Sequence, residues 1–394
     1  MINYLKHGVL LCAFSMSIPA NAAVLYATSA NITSIWNSAA AGDTIKLSGT
    51  FSKSVALQNR TFASAVTIDA TTARFTGTLK LQAVNGVRVV GGTFDATRGP
   101  NAYGKAIIVY SSSNVSFDKT NVISIPSYAE AGIGFQNVTN GSVTNSTFTN
   151  VGVGVGVSGS NHVTLTGNKV IGSTKDGFDI FDDHFVLVAN NSCSGSQPSA
   201  GAHPDCVQLA STAGHAPASD IKVINNIATG NTQGFTSFIG KAIGSERVII
   251  SGNIVNTTYS QGVACYSCVD SFITDNFIAA EPNAPHWVAV NVLGGTNNVV
   301  TGNSWLGGGV YLPTDYASAY FKLTGNAYVY DPGTLQRNGS TMPGSQSDFT
   351  SSSSFSKSSI TGGTVPEPAE WMLMMLGFGI VGVAHRRHPT MLAA

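Results

Sequence analysis

Five aspartates, Asp176, Asp179, Asp182, Asp183 and Asp205, make up a quarter of the chain's 20 acidic residues, in a chain of which only 10% is charged. They fall on two short segments, Lys175-Asp176-Gly177-Phe178-Asp179-Ile180 and Pro204-Asp205-Cys206-Val207-Gln208-Leu209. Laid side by side as strands, Phe178 falls on Val207 and Ile180 on Leu209, both pairs pointing inward. That register puts Asp176 beside Asp205, Asp179 beside Gln208 and His203 beside Thr174 on the outward side. Strands stack about 4.8 Å apart, so Asp176 and Asp205 would perturb each other's proton affinity.

Such a constellation supports three kinds of chemistry. A carboxylate pair about 5 Å apart could hydrolyse a glycosidic bond with retention of configuration. As oxygen donors, Asp176, Asp179 and Asp205 with Gln208 would hold Ca²⁺, which can neutralise a uronate carboxylate. Lys175, His184 and His203 are then the candidate bases for taking the adjacent carbon-bound proton, with Gln208, Asp182 and His184 contacting the substrate. The non-catalytic alternative is a structural calcium or a hydrogen-bonded turn cluster. Neighbouring coils carry Gly156, Thr236 and Ala264 where the cluster has Asp179 and Gln208, so the charge is local.

These segments are positioned by a repeat. Asparagines recur at Asn168, Asn191, Asn226, Asn253, Asn276, Asn303 and Asn326, and subtracting neighbours gives intervals of 23, 35, 27, 23, 27 and 23. Three residues before each comes Leu165, Val188, Val223, Ile250, Ile273, Val300 or Leu323, an inward strand position. Directly before each comes Gly167, Asn190, Asn225, Gly252, Asp275, Gly302 or Gly325, residue types that tolerate positive φ at a sharp corner. Weaker anchors at Ser146, Thr120, Gly92 and Thr71 extend the register upstream. A fixed period in this range, rich in Val, Ile, Thr, Gly and Asn and without helical periodicity, predicts an all-β right-handed parallel β-helix solenoid of roughly eleven coils over 60–330. Ile32 to Leu47 reads as a short amphipathic cap, a capping helix that shields the first coil from edge pairing, within an N-terminal segment 23–59 that also carries the first strands.

Zero net charge and 43 glycines give no basic footprint for nucleic acid. Residues 1–22 combine a basic start at Lys6, an apolar run and a small-residue site at Ala20-Asn21-Ala22, the pattern of a signal peptide. Export makes disulfides plausible among Cys193, Cys206, Cys265 and Cys268. Cys193 and Cys206 bracket the one long insertion and are expected to pair; Cys265 and Cys268 form either a local disulfide or two buried thiols. Tyr103, Tyr128, Tyr259, Tyr266, Trp287 and Trp305 are candidate sugar-groove aromatics, with packing the default role. His215 and His286 fall in loops.

The repeat pattern resembles the pectin-lyase-like superfamily, and His203-Pro204-Asp205-Cys206-Val207-Gln208 is similar to His-Pro-Asp-x-x-Gln runs in other β-helix proteins. That resemblance implies an extracellular polysaccharide partner, with lyase or glycoside hydrolase activity or, alternatively, a non-catalytic role in the cell envelope or matrix. After a Ser/Gly-rich stretch over 331–364, Pro366-Glu367-Pro368, the apolar run Trp371 to Ala384 and Arg386-Arg387 resemble a PEP-CTERM sorting tail over 365–394. Its implications are transient membrane insertion, processing by an exosortase, and the surface or matrix of a Gram-negative bacterium.

Overall fold

The computed structural model describes residues 22–96, 104–125, 131–198, 202–212, 214–237, 244–282, 284, 288–293, 295–306, 308–311 and 321–324. The signal segment, the linker and the tail with Pro366, Glu367, Pro368, Arg386 and Arg387 lie outside these residues, as do Tyr103, Tyr128, His286 and Trp287. Among the described residues no helix is long and apolar enough to cross a membrane.

All the strands join one 29-stranded sheet wound into a parallel β-helix. Each turn contributes a strand to three faces. The first face stacks Ala131–Thr144, Val155–Ser158, Phe178–Phe181, Asp205–Ala210, Gln233–Ser237, Gln261–Tyr266 and Val288–Leu293. The second carries Asn161–Thr166, His184–Ala189, Ser219–Ile224, Ile249–Ser251 and Phe272–Thr274, and the third Lys169–Ile171, Ser192–Ser194, Ile227–Gly230, Ile254–Thr257 and Phe277–Ala280. The rod makes about nine turns, slightly fewer than the period suggested. The first strands lie within 23–59, where Val24–Ala27 pairs in parallel with Thr44–Phe51. The helical part of the cap is shorter than expected, covering Ile32–Ser38, with Ile32 and Trp36 buried.

The repeating columns have the roles their chemistry dictates. Leu165, Val188, Val223, Ile250, Ile273 and Val300 are fully buried. Gly167, Asn190, Asn225, Gly252, Asp275 and Gly302 all turn the corner at positive φ, between 55° and 70°. The anchors then form a buried ladder. Asn191 Oδ1 accepts from the Asn168 backbone N–H at 2.8 Å and from its Nδ2 at 3.0 Å, and Asn168 Nδ2 also donates to Val143 O. The same geometry repeats from Asn191 to Asn226, Asn253, Asn276 and Asn303. Ser146 and Thr120 continue it upstream with hydroxyls in place of amides. Each amide satisfies backbone groups that the corner removes from the strand ladders, which is why a polar residue recurs in an apolar core.

Candidate functional site

The observed register pairs Phe178 with Val207, Asp179 with Gln208 and Ile180 with Leu209. At the start of each of these strands two successive residues point inward. A Cβ on Gly177 would lie 2.6 Å from Cys193 Sγ and 2.6 Å from Cys206 O, so that column faces the core, and the next column, Phe178 and Val207, is fully buried as well. The extra inward residue swings Asp176 and Asp205 onto the same outer side as Asp179 and Gln208. The Cys193–Cys206 disulfide fixes this corner, and a second bridge joins Cys265 to Cys268.

Outward in register does not mean open to solvent. Asp205 is 0% exposed, Asp176 3%, Gln208 5% and Asp179 9%. Asp176 Oδ1 accepts the Asp205 backbone N–H at 2.8 Å. Thr236 Oγ1 donates to Asp205 Oδ1 at 2.9 Å, and Gln208 Nε2 donates to Asp205 Oδ2 at 3.0 Å. His203 Nδ1 lies 3.5 Å from Asp205 Oδ2, and its side chain is 46% exposed. Burial drives the Asp205 carboxyl up to about 7; the His203 contact opposes the rise, the Asp176 charge adds to it, and the Thr236 bond opposes it. The Tyr259 hydroxyl is raised too, by burial and then by Asp205. Gln233, in register with Asp205 and 7% exposed, has a buried Oε1 with no hydrogen bond among the described residues.

The remaining candidates lie elsewhere. Asp182 sits at the far end of the Phe178–Phe181 strand at φ 61°, where it accepts from Thr212 N and lies 2.9 Å from His215 Nδ1. His184 starts the second face, with Nδ1 2.8 Å from Ser219 Oγ, which bonds Asp220, itself gripped by Arg247. Asp183 is fully buried and accepts from the Ser160 and Phe181 N–H groups; burial pushes its carboxyl well above the usual range. Asp182 and His184 therefore do not join the Asp176–Asp205 group. Lys175 is adjacent to it and half-buried.

The expected calcium donor set does not assemble. Asp176 Oδ1 and both Asp205 oxygens already accept internal donors, and among the described residues no three His, Cys, Asp or Glu side chains converge on a metal position. Sequence reasoning also missed Thr236 and Gln233 as partners of Asp205. Thr236 was visible only as the uncharged occupant of the Gln208 column, and Gln233 needed the register of the following coil.

Residues 83–243 match the model of the right handed beta helix region family. No curated protein matches the chain in sequence. Among solved structures, an alginate lyase from Paenibacillus sp. str. FPU-7 is similar at 15% identity and TM-score 0.52, over 77% of this chain and 99% of that one. The surface protein and adhesin PfbA of Streptococcus pneumoniae matches at 10% identity and TM-score 0.44, over 77% and 87% of the two chains. The A-module of the Azotobacter vinelandii mannuronan C-5 epimerase AlgE4 matches at 13% identity and TM-score 0.45, over 76% and 91%. At these identities the likeness defines a fold, and the chemistry must be argued from the site.

Proposed function

We propose that this is an exported β-helix protein that binds an extracellular acidic polysaccharide on its first face, where the His203–Asp205 pair removes the proton beside a uronate carboxylate. The observation that carries this reading is an exposed imidazole 3.5 Å from a fully buried carboxyl. A buried carboxyl that titrates at about 7 behind an exposed histidine orients the ring and exchanges charge with it close to neutral pH, which suits a general base working there. Tyr259, which keeps its proton, would serve as the acid for the departing glycosidic oxygen.

Elimination is favoured over hydrolysis by accessibility. A retaining hydrolase needs two carboxyl groups reaching the same bond, whereas Asp205 is 0% and Asp176 3% exposed. One observation favours the non-catalytic reading: the bonds of Asp176 and Asp205 tie successive coils together, as a structural cluster would. A panel of acidic and neutral polysaccharides decides between them. The proposal expects unsaturated sugar ends from an acidic polymer, with turnover reduced at least ~10²-fold in His203→Ala and Asp205→Asn. New reducing ends without unsaturation would instead indicate hydrolysis. Absence of both binding and turnover would leave the rod itself as the function.

A further inference from the structure

Further along the first face the stacking register creates a second feature. Tyr110 pairs with Gln136, Gln136 with Ser158, Ser158 with Phe181 and Phe181 with Ala210. Leu209 pairs with Ser237 and Ser237 with Cys265, so Tyr266, which follows Cys265 as Ala210 follows Leu209, continues the same outward column. The Tyr266 hydroxyl accepts from Gln261 Nε2 at 2.8 Å. Gln261 opens the strand that Tyr266 closes, so the ring is drawn back along the face, over the Ala264 position. Tyr110, Phe181 and Tyr266 are all half-buried, with part of each ring outward.

The neighbouring outward column runs from Lys80 through Ile108 and Gly134. Lys80 Nζ stands 5.5 Å from the centroid of the Tyr110 ring. The stem of Lys105 lies across the next coil, filling the space that a Cβ on Gly134 would need, and Lys105 is itself only 4% exposed. Gly134 pairs with Gly156 and Gly156 with Asp179. From the acidic group toward Lys80 the column is therefore floored by the backbone of Gly156 and Gly134 and by the Lys105 stem.

From this geometry we propose that the column of Tyr110, Phe181 and Tyr266, flanked by Lys80, is a track that holds an extended anionic glycan along the rod axis, its rings stacked on the aromatic faces and a carboxylate directed toward Lys80. The inference rests on the reading of the first face as the polysaccharide-binding surface. Tyr110 and Tyr266 are six coil steps apart in the register, which at about 4.8 Å per step gives a track of roughly 29 Å.

The test is direct binding of 1,4-linked oligouronates of graded length, beside neutral oligoglucosides of the same lengths. In the wild type, affinity should rise with length until the ligand spans roughly 29 Å and then level off. Phe181→Ala and Tyr266→Ala should each weaken the long oligouronates about tenfold, leave the shortest ones unchanged, and leave the thermal midpoint within the wild-type range. Tyr266→Phe, which keeps the ring, should retain binding, and Lys80→Ala should weaken acidic but not neutral ligands. A length dependence unchanged in both alanine variants would overturn the track. Because binding is measured without turnover, an inactive wild type that still shows the length dependence would sink the proton-abstraction reading and leave the track standing. Normal turnover with no aromatic effect would do the reverse.

Discussion

Replacing Asp205 by Asn should change how stability depends on pH, and the sign follows from burial. In the folded chain the Asp205 carboxyl is raised from an ordinary 3.8 to about 7. Between those values the folded state holds a proton that the unfolded chain has released. Stability from this group is fully present below pH 4, falls as pH rises toward 7 and levels off above. A rise of roughly three units at 1.36 kcal/mol per unit makes the fall about 4 kcal/mol. Asn cannot titrate, and the amide of Gln208 and the hydroxyl of Thr236 can both reorient to bond it. Urea unfolding at intervals from pH 4 to 8 should therefore show a wild-type stability that declines more steeply than that of Asp205→Asn, the difference closing toward acid. His203→Ala removes the strongest opposing influence and should move the wild-type decline to higher pH. Parallel pH profiles for the wild type and Asp205→Asn would refute the argument, because they would mean that the carboxyl is not held protonated by its surroundings.

Other consequences can be checked in the same way. Asn253→Ala removes the bonds to Asn226 N, Val223 O and Asn276 Oδ1 and should cost at least ~3 kcal/mol by chemical denaturation, since each orphaned buried group costs about 1 to 3 kcal/mol. Asp183→Asn should destabilise by ~1–3 kcal/mol, because only one of the two N–H donors, Ser160 or Phe181, keeps an acceptor. Reducing Cys193–Cys206, which spans 13 residues, should cost about 3 kcal/mol on the chain-entropy model, more than reducing the short Cys265–Cys268 loop. In an exosortase-bearing host the mature protein should begin near Ala23 and end near Pro368. Intact mass tests this, and retention of Arg386-Arg387 would point to a plain anchor.

Much of the fold was legible because each coil must solve the same problem. The corner needs positive φ, the core needs an aliphatic side chain and the backbone at the corner needs a hydrogen-bonding amide, so Gly167, Leu165 and Asn168 and their equivalents recur at fixed offsets. The pairing of Phe178 with Val207 and of Asp179 with Gln208 followed from strand alternation. Burial of the acidic group did not follow, since alternation alone says nothing of two successive inward residues at Gly177 and Phe178 or of what covers the outer side. Asp182 and His184 were grouped with the site by sequence proximity, yet the strand carries them to its far end. Tyr259 was visible as an aromatic residue, but its nearness to Asp205 depends on a loop two coils away.

Hydrogen exchange at the sugar carbon beside the carboxylate shows whether His203 and Asp205 take that proton. With an acidic polysaccharide in D₂O, the wild-type protein should either exchange that hydrogen for deuterium or eliminate it, and His203→Ala and Asp205→Asn should do neither while keeping the polymer bound. Cleavage or binding by the wild type with that carbon–hydrogen bond intact would contradict proton abstraction by this pair.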